Sequence, residues 1–305
     1  MQVAEPDTEP EPEPEQDPDT GHRSGSARTH RLFWWKEALI MVAFYLVYSS
    51  TRNMFGSNQI AADGVPDRAF DNAIRVIDWE RAIGTFHEES IQDWFLSHTT
   101  FLQFWNTYYG VAHFAVTLAV FIVLFVRRPD VLPQHRNSLA VMTAVAIVGF
   151  ALFPLMPPRL LDEPCPRQVP PGEVAFGGAC IPSEARGLDG FGFVDTLEEY
   201  GGPWSFDSET VASISNQYAA MPSMHIGWSA WSVIAIWPLL RRRWSRVVWL
   251  LYPFATLFCI IVTGNHYWID GVGGLLALGI GISVGFGLHR WNQDRLDRRA
   301  ALATS

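Results

Sequence analysis

Charge is scarce in this chain. Charged residues fill 17% of its 305 positions, against roughly a quarter in an ordinary soluble protein. A surface wrapped in ions is therefore excluded, and apolar segments broken by short polar loops are expected. Basic residues are not in excess either. The formal net charge is −9, but residues 1–20 hold eight acids (Glu5, Asp7, Glu9, Glu11, Glu13, Glu15, Asp17, Asp19) and no Lys or Arg. Without those acids the rest of the chain stands at −1, so no nucleic-acid partner is implied. A signal-peptide pattern is missing too, since no apolar run follows a basic end. The Glu-Pro alternation cannot bury apolar surface, and residues 1–31 read as a disordered acidic tail. Cysteine is limited to three positions. Cys259 lies in an apolar stretch, whereas Cys165 and Cys180 share one polar loop and are disulfide candidates if that loop leaves the cytosol. No internal repeat is found, and no carboxylate cluster suited to Mg²⁺. Neither a metal nor a cofactor is expected.

Long apolar runs are present. Runs near the 20 residues needed to span a bilayer lie at about 36–55, 104–126, 138–155, 223–240, 247–263 and 268–288. They lack the polar face of a water-soluble helix. The expected fold is all-α, a polytopic bundle of six transmembrane helices over 32–292 with a short tail at 293–305. Basic residues cluster before span one (Arg23, Arg28, Arg31, Lys36), between spans two and three (Arg127, Arg128, Arg136), between four and five (Arg241, Arg242, Arg243, Arg246), and after six (Arg290, Arg295, Arg298, Arg299). An even span count puts all of them on one side, cytoplasmic by the positive-inside rule. Both termini then face the cytoplasm of a cell-membrane protein. The outer side receives residues 56–103, 156–222 and a turn near 264–267. Within the first of these, Ala69, Ala73, Ile74, Ile77, Trp79, Ile83, Phe86, Ile91, Trp94 and Phe95 recur at helical spacing. This reads as one or two amphipathic helices, lying either at the interface or packed over the bundle.

Ionisable groups at membrane depth cost about 2.5–3.5 kcal/mol on insertion scales, so each is a functional candidate. His266 and Asp270 are four apart in Gly264-Asn265-His266-Tyr267-Trp268-Ile269-Asp270, which puts both on one helical face. The carboxylate orients the imidazole, and the imidazole is itself a competent nucleophile. In Pro222-Ser223-Met224-His225 the proline breaks the incoming chain and Ser223 is placed to cap the next helix, with His225 in its first turn. Such a helix end favours a bound anion. Arg159 follows the prolines of Phe153-Pro154-Leu155-Met156-Pro157-Pro158, and Arg52 closes span one. Either guanidinium fork suits phosphate oxygens or snorkels to headgroups. All these polar ends reach the side opposite the basic clusters.

The two motifs together resemble the type 2 phosphatidic acid phosphatase superfamily, most of all its inositol phosphorylceramide synthase branch, over about 35–290. That superfamily reads P-S-G-H, then S-R-x5-H-x3-D, on a six-helix core. Phe153 to Leu160, Asn216 to Ala220, and Glu80, Glu89 and Gln92 are also similar to the branch. The resemblance implies a metal-independent phosphatase or phosphotransferase. His266 would form a phosphohistidine, Asp270 would orient it, and His225 would serve as general acid and base. Arg159, Arg52, Ser223 and Asn265 are the phosphate-binding candidates. The substrate would be a lipid phosphate or phospholipid in the bilayer. The phosphoryl group, or a phospho-headgroup such as inositol phosphate, would pass to water or a hydroxyl. Two departures stand out. Cys259-Ile260 replaces the Ser-Arg before the nucleophile, and Leu152 and Leu160 interrupt the K-x6-R-P motif around Arg159. Two other readings compete: a non-haem iron enzyme using His225, His266 and Asp270, and a non-enzymatic lipid carrier.

Overall fold

The computed structural model describes residues 35–37, 39–40, 42–43, 46, 67–161, 192–201 and 218–303. Arg52, Cys165, Cys180 and most of the first expected span lie outside the described residues. Among those described, the fold is all-helical. The elements are α1 (Asp67–Ile83), α2 (Glu88–Leu96), α3 (Thr99–Arg127), α4 (Leu132–Leu152), the short α5 (Thr196–Glu199), α6 (Met224–Ile236), α7 (Arg243–Val262) and α8 (Trp268–Leu302).

Four helices, α3, α4, α7 and α8, are long and apolar enough to cross a membrane. Their packing is turned inside out relative to a soluble bundle. On α3, Phe104, Val111, Phe114, Leu118, Ile122 and Val126 are exposed, while Asn106, His113 and Thr117 are buried. Apolar surface of this extent calls for a lipid environment. The fourth expected span differs from its expectation. Its α-helix, α6, has 13 residues and gives way to a 3₁₀ turn at Trp237–Leu239 that contains Pro238. At 1.5 Å per residue it rises about 20 Å, short of a hydrocarbon core of about 30 Å. Among the described residues the crossing helices number four, with a shorter buried α6 among them, and most of the first expected span lies outside those residues. The last helix also runs past the expected end at 288, through Leu302.

The expected amphipathic segment is present as α1 and α2. Ala69, Phe70, Ala73, Val76 and Ile77 form a buried cluster with Leu155, Met156, Phe193 and Tyr267. Thus α1 packs over the bundle end, while Trp79, Ile83 and Trp94 remain exposed. At the opposite end, Arg136 on α4 donates to both Glu37 oxygens at 2.8 Å, so the start of span one sits beside the 127–136 cluster.

Small residues let α8 approach its neighbours closely, the usual basis of helix association in lipid. A Cβ on Gly285 would lie 2.4 Å from the Ser138 nitrogen of α4. A Cβ on Gly274 would lie 2.2 Å from the Ser223 carbonyl oxygen at the start of α6. That approach lets the Ser223 N–H donate to the Asp270 carbonyl at 2.9 Å, tying together the two histidine-bearing motifs. Gly274→Ala is therefore expected to lower stability by about 1–3 kcal/mol, the usual cost of overpacking. Gly279→Ala, whose methyl meets nothing within 4 Å, should not. Thermal melts of the two variants in detergent check this, and equal midpoints would contradict it.

Candidate active site

The site is built where α8 begins. The chain leaves α7 through Thr263 and Gly264, and Gly264 has φ +66°, a conformation glycine adopts without strain. The N–H groups of Asn265 and His266 both donate to the Ile260 carbonyl, closing the turn. His266 is 4% exposed and Asp270 0%. The Asp270 Oδ2 accepts the His266 Nδ1–H at 3.1 Å and the Tyr267 N–H at 3.0 Å. The carboxylate thus holds the imidazole in the tautomer that leaves Nε2 with its lone pair for attack. Tyr267 anchors the turn by donating its hydroxyl to the Met156 carbonyl at 3.1 Å.

His225, from the first turn of α6, faces His266 with ring centroids 5.5 Å apart. Two residues of α3 frame it. Tyr109 stacks on its ring at 4.3 Å, and His113 meets it edge-on at 4.3 Å. The His113 Nδ1 lies 3.0 Å from the Tyr109 carbonyl, one helical turn back. The sequence reading passed over both residues because they fall inside an apolar span. Their polar rings within a largely apolar span were the available signal.

Arg159 reaches the same turn. Its N–H donates to the Gly264 carbonyl at 2.7 Å, and its guanidinium pairs through one arm with Asp195. Asp195, also missed, is held by the Leu197 and Glu198 N–H groups at 3.0 and 3.2 Å. The Arg159 Nε is buried without a hydrogen-bond partner. Residues 192–201 form a strap across this end. Gln92 exchanges two hydrogen bonds with the Val194 backbone, at 2.9 and 3.0 Å, and Glu89 accepts from the Gly192 N–H.

Ser223 is a correction. It sits at the N-cap position of α6, but its side chain makes no capping hydrogen bond, and its Oγ is buried without a partner. Its backbone bond to Asp270 fixes it instead. Asn265 turns its amide back onto Thr263, at 2.8 Å to Oγ1, and so shapes the turn. Cys259, in place of the family serine, donates its thiol to the Trp105 carbonyl. Ile260, in place of the arginine, packs with Ile226 and Ile261. That corner is apolar and offers no charged side chain.

Among the described residues no group of three His, Cys, Asp or Glu side chains is arranged to hold a metal ion. His266 Nδ1 is already bonded to Asp270. This geometry does not favour the iron reading.

A family model described as the PAP2 superfamily matches residues 74–284. The chain belongs to the PAP2 superfamily. The match spans every element of the site, from Glu80 to Asp270. No curated protein and no solved structure matches the chain. Membership makes phosphatase or phosphotransferase activity the expected chemistry, and the crossing helices make it a membrane protein.

Proposed function

We propose that this PAP2 protein cleaves or transfers a lipid phosphate ester through a phosphohistidine on His266. One observation carries the reading. A buried imidazole, oriented by Asp270 at 3.1 Å, faces a second imidazole 5.5 Å away between ring centres. In the first half-reaction His266 Nε2 attacks phosphorus, the bond to the ester oxygen breaks, and His225 gives that oxygen a proton. In the second, His225 takes a proton from water or an acceptor hydroxyl, whose oxygen attacks phosphorus and releases His266. General acid–base help of this kind is worth about 10²–10⁴-fold. Phospholipids are the favoured substrates because the site lies at the end of lipid-facing helices, opposite the arginine clusters of 127–136, 241–246 and 290–299. By the positive-inside rule that end faces outward. A phospho-headgroup such as inositol phosphate is the transferred group that the branch resemblance favours.

The purified protein, given radiolabelled lipid phosphates and phospholipids with and without hydroxyl acceptors, is expected to release or transfer label. Orthovanadate, which mimics pentavalent phosphorus, should inhibit, and EDTA should not. Loss of activity in EDTA restored by one divalent ion would overturn the metal-independent mechanism. Lipid transport without any labelled product would favour the carrier reading.

A further inference from the structure

The first turn of α8 is capped by side chains from two other helices. Glu88 of α2 accepts the Trp268 N–H on Oε1 at 3.1 Å and the His87 N–H on Oε2 at 2.9 Å. Glu80 of α1 accepts the Ile269 N–H on Oε1 at 2.9 Å. Both carboxyls are 0% exposed. The two acids differ in what remains. Each Glu88 oxygen already accepts an N–H, as suits a carboxylate. The Glu80 Oε2 is buried and no N–H reaches it. A proton there would have the neighbouring Glu88 carboxylate as its acceptor.

We propose that Glu80 and Glu88 form a singly protonated carboxyl pair, Glu80 neutral and Glu88 charged, which holds the His266 turn in its attacking position. The proposal rests on the reading of His266 as nucleophile. Glu80 and Glu88 are positioning residues. They act through the backbone at Trp268 and Ile269, while Asp270 takes the N–H of Tyr267. With those donors occupied, the α8 terminus does not serve as the phosphate site, and substrate is left to Arg159 and the α6 end. Burial and the Glu88 charge push the Glu80 carboxyl up to about 9. The titratable groups facing it are Glu88 from α2, Asp270 from α8 and Tyr267 at the α8 N-cap. Asp270 raises Glu80's proton affinity further.

The sign of the pH effect follows. The folded protein keeps the Glu80 proton up to about 9, whereas an unfolded chain releases it near 4.5. Stability from this proton is complete below the unfolded value and drains away as pH rises to the folded one.

The test compares Glu80→Ala, Glu80→Gln and Glu88→Gln by pH–rate profile and by thermal melting in detergent between about pH 6 and 9. Glutamine at 80 keeps an acceptor for Ile269 and supplies an N–H to Glu88, so it should restore turnover that Glu80→Ala loses. It should also remove the alkaline limb of the profile and flatten the pH dependence of the melting midpoint. Glu88→Gln places an amide N–H against a backbone donor and should lose about tenfold or more in turnover. Glu80→Gln as impaired as Glu80→Ala, or a melting profile of unchanged slope, would overturn the pair. Melting does not depend on catalysis. An active His266→Ala variant alongside a flattened Glu80→Gln melt would sink the nucleophile and leave the pair standing.

Discussion

His266→Ala is expected to abolish turnover, by roughly 10⁴–10⁶-fold, while the protein still inserts and melts cooperatively. The imidazole is the candidate that forms a bond to phosphorus, and alanine leaves nothing in its place. His225→Ala should lose about 10²–10⁴-fold, the share of a general acid and base. Asp270→Asn should be milder than His266→Ala because the nucleophile remains, although its tautomer is no longer enforced. Asp270→Ala also strips the cap from Tyr267 and should abolish turnover. These losses should not add, since the three groups act on one transition state. Rapid quenching with labelled substrate should trap a phosphohistidine, labile in acid and stable in alkali, in the wild type and not in His266→Ala. Near-normal activity in any two of the alanine variants would refute the assignment.

The parts of this site that a sequence reveals are those set by local spacing and by topology. The i,i+4 step makes His266 and Asp270 neighbours in any helix, and they are bonded. The alternation of spans brings His225 and His266 to one end, where their rings face each other, and the Arg159 backbone bonds to Gly264 in the same turn. Parts set by packing between distant segments stayed hidden. Asp195 lies in a loop rich in Pro and Gly, and nothing local shows that it will pair with Arg159 across 36 residues. Glu88 reads as a surface acid at a helix start. Its spacing of four from Gln92 puts both on one face, and both are fully buried, which was the available clue. The capping role expected of Ser223 failed: its backbone N–H is tied to the Asp270 carbonyl, and its hydroxyl is buried without turning onto the α6 N–H groups. The fourth span reads as one continuous run because hydropathy counts apolar residues and does not register that the α-helix gives way at Trp237 to a 3₁₀ turn containing Pro238.

Arg159→Ala is expected to cost about 10²-fold or more in kcat/KM, the usual effect of removing one donor from a developing charge. The family arginine of the S-R-x5-H-x3-D motif is absent, with Ile260 packed in its place, so under the proposed function Arg159 would carry more of the phosphate charge than in a site with two arginines. Its guanidinium is placed for this. One arm is held by Asp195, which two backbone N–H groups fix in turn. The Nε is buried without an acceptor, a condition that costs about 1–3 kcal/mol. Under the proposed function, a phosphate oxygen reaching Nε would remove that penalty on binding and so link substrate affinity to a donor the free protein leaves unmatched. Arg159→Lys should recover only part of the loss, because an ammonium keeps the charge and forfeits the fork. Asp195→Asn keeps an acceptor for the guanidinium and should fall well short of Arg159→Ala. Steady-state kinetics with vanadate inhibition separates these roles. Loss of vanadate affinity in Arg159→Ala in proportion to the loss of kcat/KM would place the guanidinium on the transition state. Unchanged vanadate affinity would place it off the reaction path and leave the strap at 192–201 as its purpose.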